Sequence, residues 1–500
     1  MVAQTTPWLL AVGLALALSS SLSACHGGGY RPRPLDERGL LAEAPAGLAV
    51  SAASPSPLPS PLPPAVAPTP PSSSSAAPVL ADPDTGKTAG SSPETARLQP
   101  GRSSTDQAVA LALVHNPDIR AARYERGIAE GEVMATEALA NPSLRLEALD
   151  LQDLGEAGVG FGVALSWEPP RPIVRSARQR RAQAQVTEEE QEIREQEWRI
   201  ATAVRVSHAT LVALAEQVRI FEDAVSTRQH LVGLVEQRMA QGAATRIDLG
   251  IARLAAVEVE RERNDVALRY AAAVEDFRAL LGVAADDTPV EIGSDDFASE
   301  RMADLMPPPD ERRLAEQAFG LRPAFGAARA RYEQSEQALR EEHGRKLPWF
   351  RLAAAPRFRT HGGDGDEPDL MVGLVLQLPV LDRNDGPILA AEARRSQARE
   401  RFAALLASVR REIRQSLAAI ARGQAAVRYY RERILPAIEE QDRELDAALQ
   451  GGVVDLVAVM AARAAALKSR LAYSNACLEL RTAWLALDRS VGAPVQPRAR

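Results

Sequence analysis

Hydrophobic positions along this chain change period in a fixed order, and the order is used twice. An apolar run at 108–114 follows Ser104-Thr105-Asp106-Gln107, which fits a capping box and predicts a short helix. Asn116-Pro117 breaks that helix, a second spans about 118–140, and Asn141-Pro142 ends it. The period then drops to two. Leu144, Leu146 and Ala148 alternate with Arg145, Glu147 and Leu149. After a loop at 150–158, Val159, Phe161, Val163, Leu165 and Trp167 alternate with Gly160, Gly162, Ala164 and Ser166, nine residues in strict alternation. That predicts a hairpin whose strand has the length of a tilted membrane crossing. A hairpin packed on a soluble core fits the same alternation. A helical run without internal proline then extends from 172 to 241. At 1.5 Å per residue it is about 100 Å long. Gln241-Gly242 closes it, since glycine accepts the left-handed conformation that ends helices, and a returning helix reaches Leu281-Gly282.

The second copy can be aligned by hand. His115-Asn116-Pro117 is matched by Leu321-Arg322-Pro323, and Asn141-Pro142 by Leu347-Pro348, each 206 positions later. Gln241-Gly242 is matched by Gln450-Gly451 at 209, and Leu281-Gly282 by Val491-Gly492 at 210. Four markers in order at a nearly constant offset identify a duplicated unit. In the second copy Phe350, Leu352 and Ala354 alternate with Arg351, Ala353 and Ala355. After a loop at 361–366, Leu370, Val372, Leu374, Leu376 and Leu378 alternate with Met371, Gly373, Val375 and Gln377. The second long helical run, about 387–450, contains only Pro436. On the last helix Leu456, Met460, Leu467, Leu471, Leu478 and Leu485 recur at spacings of four and seven, a seam for a neighbouring helix or an ordinary core stripe. Trp167 leaves the first hairpin and Trp349 enters the second at equivalent heights. That placement suits an interfacial aromatic belt, although Trp is also a common core residue.

The first hundred residues have a different character. Residues 8–22 form an apolar run too short for a comfortable membrane span and suited to a signal-peptide core. It ends in Leu22-Ser23-Ala24-Cys25, which resembles a bacterial lipoprotein box. The expectation is a signal peptide at 1–24 and a Cys25 carrying acyl chains such as palmitate, each buried CH₂ adding about 0.8 kcal/mol of membrane affinity. Residues 26–100 are rich in Pro, Ser and Ala, with Ser54-Pro55-Ser56-Pro57-Leu58-Pro59 at their centre, and read as an extended tether. The remaining boundaries are a first repeat at 101–283 with its hairpin at 143–168 and long helices at 172–282, and a linker at 284–309. A second repeat covers 310–494, with hairpin 349–380 and long helices 386–491, before a tail at 495–500.

Composition removes several function classes. The 500 residues carry a net charge of −7 spread over mixed-sign helices, which leaves no nucleic-acid footprint. The two cysteines, Cys25 and Cys477, form no disulfide framework, and Cys477 reads as a small packed residue. No HExxH, GxSxG or Walker sequence is present, and His208 and His230 stand far apart on one helix. No catalytic residue, metal ligand set or cofactor is expected, and the chain does not read as an enzyme.

Taken together, the duplicated helix–hairpin–long helix–turn–helix order resembles the TolC-like outer-membrane efflux family over about 104–494. Ala110-Leu111-Ala112-Leu113-Val114-His115-Asn116-Pro117-Asp118, Ile434-Leu435-Pro436 and the two Gly…Asp-Leu turns carry the resemblance. Leu378-Pro379-Val380-Leu381-Asp382-Arg383-Asn384 looks closest to the heavy-metal cation efflux branch, whereas Pro169-Pro170-Arg171-Pro172 departs from the usual Gly-rich entrance to the long helix. The resemblance implies an α+β membrane protein: a homotrimer whose hairpins share one transmembrane β-barrel in outer-membrane lipid, continued by a long periplasmic α-barrel. It implies a passive exit duct for metal ions or small molecules, partnered by a periplasmic adaptor and an inner-membrane transporter. A type I protein secretion duct and a lipid-anchored coiled-coil scaffold without a pore are the competing readings. By the same resemblance Gly242, Gly451 and Gly452 mark the adaptor-docking turns, and Asp455, Asp248 and Arg246 are candidates for the periplasmic aperture. Arg246 and Asp455 would latch adjacent helix pairs, while either aspartate also suits a helix cap.

Overall fold

The computed structural model describes residues 32–37, 39–40, 105–150, 159–283, 310–359, 367–451 and 456–495. The first repeat runs α1 (Thr105–His115), α2 (Pro117–Glu137), β1 (Ser143–Asp150), β2 (Val159–Trp167), α3 (Pro172–Ala240) and α4 (Arg246–Leu281). The second runs α5 (Glu311–Leu321), α6 (Pro323–Arg345), β3 (Trp349–Arg359), β4 (Glu367–Gln377), α7 (Asp385–Tyr429), α8 (Leu435–Gly451) and α9 (Leu456–Val491). The duplication, both hairpins and both long helical arms therefore stand where the periodicity puts them. Ser104, the loops at 151–158 and 360–366, and the linker at 284–309 lie outside the described residues, as do Cys25 and the signal segment.

α3 holds 69 residues, about 100 Å of helix. Proline sits at its first position, where the missing N–H is no loss, and none follows inside it. It runs through two tiers. On the sheet side the packing order is α2, α3, α6, α7; away from the sheet it is α4, α3, α9, α7 with α8. Helices α1 and α5 fill the waist, where two apolar clusters lie. One gathers Ile119, Leu211, Phe277 and Leu281; the other gathers Leu314, Phe325, Phe402, Leu406, Leu480 and Trp484. Cys477 is buried in the second, as a small packed residue.

The two waists are built by one recipe. Gly282 ends α4 at φ 72°, and a Cβ there would lie 2.6 Å from the His115 carbonyl oxygen. Gly492 follows α9 at φ 82°, and its Cβ would lie 2.7 Å from Arg322 Cα. Asn116 donates to the Leu280 carbonyl at 2.9 Å, and Arg322 donates to that of Ser490 at 3.4 Å. Arg123 and Arg329, 206 positions apart, each donate to a waist carbonyl, those of Leu113 and Phe319.

Two expectations are corrected. The second long arm is not one α-helix: a π-turn at Tyr430–Ile434 separates α7 from α8. Pro436 has no N–H for the Glu432 carbonyl and its ring crowds that turn, so the helix widens just before it. The stripe on α9 packs on neighbouring helices as expected, and a second face of the same helix enters the waist. Leu467 and Leu471 pack on Phe221, Val259 and Val266 of the first repeat, while Ala476, Leu480, Trp484 and Leu487 pack in the second waist. Finally, the tether reading of 26–100 does not hold for 32–37 and 39–40. These residues lie against α5, α6 and α7, with Leu40 buried beside Phe325 and Phe402. Two leucines spaced by five and a turn closed by Asp36, whose carboxylate accepts from the Gly39 N–H at 2.9 Å, give this stretch enough apolar contact to pack.

Candidate functional site

At one end of the helices the two hairpins form one sheet in the order β1-β2-β3-β4. Its registers decide which side chains share a face. Leu144 pairs with Leu165 and Leu146 with Val163; Leu165 pairs with Ala354; Ala354 pairs with Val372, Leu352 with Leu374 and Phe350 with Leu376. The apolar faces of both hairpins therefore lie on the same side. The opposite side carries Ser143 against Ser166, Arg145 against Ala164, and Arg351 against Val375. The apolar side is open: Leu146 is 70% exposed and Leu374 57%. Among the described residues β1 and β4 have no partner on their outer edges. An apolar face and two bare edges are unfavourable in water, and bare edges are equally unfavourable in lipid until other strands close them.

The base of the sheet is fixed by polar contacts. Trp167 Nε1 donates to the Ala140 carbonyl at 2.9 Å, and Trp349 Nε1 to that of Pro169 at 2.6 Å. Arg171 lies over the Trp349 ring. Trp349 is buried in this joint, so its role is to lock the strand–helix connection and not to front a lipid belt. The Pro169-Pro170-Arg171-Pro172 departure has its use here, because Pro169 supplies the accepting carbonyl and Arg171 the stacking cation.

The far end is the helical tip. The turn at 241–245 closes by bonds from the Gly242 N–H to Met239 and from the Ala243 N–H to Arg238, with Gly242 at φ 74°. Thr245 and Asp248 form a reciprocal capping box: Asp248 accepts from the Thr245 N–H at 2.8 Å, and the Thr245 hydroxyl accepts from the Asp248 N–H at 3.2 Å. The backbone hydrogen bond from Thr245, then that of its hydroxyl, holds the Asp248 carboxyl below its usual range. Arg246 is exposed and makes no ion pair among the described residues. Gly451 ends α8; Gly452 and Asp455 lie outside the described residues. The structure thus places Asp248 and Arg246 together on one tip and assigns Asp248 a capping role.

Sequence reasoning missed the contacts that join this tip to the second helix pair. Leu456 packs against both the Val235–Leu249 and the Leu231–Val459 clusters, so it ties α9 to the α3–α4 hairpin. Arg463 on α9 pairs with Asp442 at 2.9 Å and with Asp446, and Arg470 pairs with Asp442 at 2.8 Å. Behind them Arg228 of α3 is 5% exposed and donates to the Met460 carbonyl at 3.2 Å. Its Nη1 is buried with no acceptor among the described residues. Burial, then the like charge of Arg463, lowers its pKa from the guanidinium's usual value. Phe221, Arg228 and Val235 are buried at steps of seven, a spacing that could have revealed this arginine in the sequence.

No catalytic constellation accompanies these features. Among the described residues no group of three or more His, Cys, Asp or Glu could hold a metal ion, and no helix is long and apolar enough to cross a membrane.

A helix of about 100 Å and a broken counterpart that end in a sheet with one bare apolar face are the build of a membrane-inserted duct wall. The chain belongs to the outer membrane efflux protein family, whose model matches residues 108–283 and 314–493. It is 22% identical over 419 residues to the cobalt-zinc-cadmium resistance protein CzcC of Cupriavidus metallidurans, an alignment covering 83% of this chain and 95% of that one. Its fold is similar to that of a membrane protein from Pseudomonas aeruginosa, with a TM-score of 0.67 at 18% identity, covering 79% of this chain and 92% of the other. It is similar also to CusC, described in terms of transmembrane channel formation, with a TM-score of 0.66 at 16% identity and coverage of 78% and 92%. The chain is an outer-membrane efflux channel.

Proposed function

We propose that the protein is the passive exit duct of a tripartite efflux system, working as a homotrimer with a periplasmic adaptor and an inner-membrane transporter. The observation that carries this reading is the four-stranded sheet, apolar on one face and unpaired at both edges. One chain cannot close it, and three copies would supply twelve strands to one barrel. A second seam supports the same assembly. Ile247, Leu254 and Leu268 of α4 stand at heptad steps, and each is at least 70% exposed in the single chain. Such a stripe fits a helix of a neighbouring copy.

Cobalt, zinc and cadmium stand in the name of CzcC, and divalent metal ions are the cargo we assign to this duct. Cys25 is assigned as the lipid attachment that adds an anchor to the barrel. At the tip, Arg246 on one turn and Asp455 on the other are assigned as a latch between helix pairs, with Gly242, Gly451 and Gly452 in the turns that meet the adaptor. An exposed pair contributes about 0–1 kcal/mol, so a large effect of the latch requires partial burial or threefold repetition.

The test has three readings. Particle mass in detergent should correspond to three chains, and a stable monomer with all strands formed would sink the barrel. Single-channel conductance should rise in Arg246→Ala and Asp455→Ala; unchanged conductance and selectivity in both would leave only capping. Deletion of the gene should sensitise cells to cobalt, zinc or cadmium, and sensitivity confined to organic compounds would reject the metal cargo.

A further inference from the structure

We infer that a small monovalent anion of the size of chloride binds beside Arg228 as its counter-ion, in the seam where α3 of the first repeat meets α8 and α9 of the second. The site is independent of the cargo, the lipid anchor and the latch.

An uncompensated charge lies in this seam. Arg228 is 5% exposed, and its guanidinium forms no ion pair among the described residues. Nη2 donates to the Met460 carbonyl at 3.2 Å, a neutral acceptor, and Nη1 is buried with no acceptor at all. A buried lysine or carboxyl can escape such a place by becoming neutral, but a guanidinium keeps its proton. A buried cation without a counter-charge is among the least favourable groups a fold can hold. The surroundings make matters worse: burial and then the like charge of Arg463 act against the charged form, and only Glu258 favours it.

Arg228 lines a cavity of about 50 Å³ together with Asp223, Thr227, Asp442, Arg463 and Arg470. That volume exceeds what one water needs and falls far below what an organic ligand needs, so the occupant is water or a single small ion. Three guanidiniums face two carboxylates around it, an excess of one positive charge. The Asp442 carboxylate is fully engaged, Oδ1 accepting from Arg463 at 2.9 Å and Oδ2 from Arg470 at 2.8 Å. Arg463 is further neutralised by Asp446. The Thr227 hydroxyl is spent on the Asp223 carbonyl at 2.9 Å, and the Asp223 side chain is exposed, where water screens it. The charge left over is the one on Arg228. Ala466 and Leu467 belong to the apolar remainder of the wall, and a low-dielectric lining strengthens the attraction between an ion and a guanidinium.

The same geometry decides against other counter-charges. Nη1 is already buried within one chain, so a carboxylate of a neighbouring copy cannot reach it without opening the seam. A divalent oxyanion would overcompensate a single charge in a space of this size, and a metal cation is repelled by the positive excess. Arg470, whose side chain is 43% exposed, stands at the solvent side of the cavity, so a small ion can enter and leave past it. Its place gives the ion a structural effect. Met460, whose carbonyl Arg228 holds, packs with Leu231 of α3 and Val459 of α9, so an anion that steadies Arg228 steadies the contact between the two repeats.

Hydrogen exchange of the full-length protein in detergent tests this at constant ionic strength, with sodium gluconate, whose anion is too large for the cavity, exchanged for sodium chloride or bromide. Exchangeable binding with a Kd of about 30 mM slows local opening about tenfold at about 0.3 M halide. Amides of residues 456–470 should show that slowing in the wild type, while those of α1 should not respond. In Arg228→Met the halide response should vanish, and in gluconate, with Nη1 unsatisfied, the wild type should hold this seam no better than the variant does. Crystals grown in bromide should give an anomalous peak within hydrogen-bonding reach of Arg228 Nη1, an arm that needs no variant to fold. Equal exchange in gluconate and in halide, with no peak, would leave water in the cavity and overturn the proposal. A halide response of the same size in Arg228→Met would make it a general salt effect and overturn it equally. A bromide peak without any change in exchange would mean an adventitious ion only, and the counter-ion role would fall.

Discussion

The duplicated waist makes a sharp prediction about three glycines. Gly242, Gly282 and Gly492 all have positive φ, at 74°, 72° and 82°. An L-residue in that region costs about 1–2 kcal/mol on conformation alone. They differ in what surrounds them. A Cβ at Gly242 meets nothing within 4 Å, whereas one at Gly282 meets the His115 carbonyl oxygen at 2.6 Å and one at Gly492 meets Arg322 Cα at 2.7 Å. Both neighbours are backbone atoms just before Pro117 and Pro323, so neither can swing aside as a side chain would. Overpacking of this kind adds about 1–3 kcal/mol. Gly242→Ala should thus cost about 1–2 kcal/mol, and Gly282→Ala or Gly492→Ala about 2–5 kcal/mol.

Hydrogen exchange is the suitable assay because it reads each joint separately. The difference of about 1–3 kcal/mol corresponds to a 5- to 150-fold faster local opening. Gly282→Ala should raise exchange in α1, α2 and the end of α4, and Gly492→Ala in α5, α6 and the end of α9, with each leaving the other waist unchanged. If the waist variants and Gly242→Ala raised local exchange by the same factor, the close backbone approach would have no energetic weight and the reasoning would fail.

The remaining predictions concern the two ends. Leu374→Arg should prevent assembly in the outer-membrane fraction, because a cation on the lipid face costs about 2–4 kcal/mol at mid-depth, while Val375→Arg on the opposite face should still assemble as a heat-modifiable oligomer. Arg228→Met should keep the melting temperature or raise it, since an apolar side chain of similar length replaces a buried guanidinium with an unsatisfied Nη1; a stability loss above about 2 kcal/mol would contradict this. Asp248 has a folded pKa below its unfolded value, so its contribution is present above the unfolded carboxyl range near pH 4 and is lost as pH falls through the folded value. Local opening of the 241–248 turn, read from exchange corrected for the intrinsic pH dependence of amide exchange, should therefore rise on acidification in wild type and be flat with pH in Asp248→Asn.

Much of this architecture could be read from the sequence because membrane strands and long helices impose strict periods. The alternation at Val163 to Trp167 and at Val372 to Leu376 depends only on which side of a pleat meets lipid, and the observed registers put those apolar positions on one face. The proline and glycine markers were equally readable, since Pro117, Pro323, Gly282 and Gly492 answer to backbone constraints that few other residues meet. What escaped either has no period or has one that the residue type hides. Leu35 and Leu40 lie in a proline-rich stretch whose overall composition predicts an extended chain, and three polar contacts to α6 with the burial of Leu40 decide otherwise. Trp349 is placed by one indole hydrogen bond to Pro169, which no spacing announces. Arg228 occupies a buried heptad position between Phe221 and Val235, but a lone arginine on a charged helix reads as a solvated side chain.

The two repeats agree where the wall must be rigid and differ where it must not. At the waist both copies bury the same glycine against the same backbone and hold the same carbonyl with an arginine, so pseudo-twofold symmetry survives there at the level of individual hydrogen bonds. Below the waist α3 is unbroken and its hairpin ends in a reciprocal capping box. The corresponding arm of the second repeat is broken by the π-turn at Tyr430–Ile434, and its tip is held by exchangeable ion pairs of Asp442 with Arg463 and Arg470. A π-turn strains one helix and leaves a carbonyl short of its partner, so bending there disturbs fewer good hydrogen bonds than bending a regular turn does. The outer contacts of Arg470 and Asp446, with side chains 43% and 62% exposed, can re-form at small net cost, whereas a buried apolar seam cannot. The same physical inventory that makes α3 and α4 a fixed stave makes α8 and α9 the pair with the lower barrier to rearrangement. Residues 32–37 and 39–40, packed on α6, add their hold to the repeat that carries this weaker arm, at the waist and not at the tip. The second repeat is thereby secured toward the membrane and left free toward the tip.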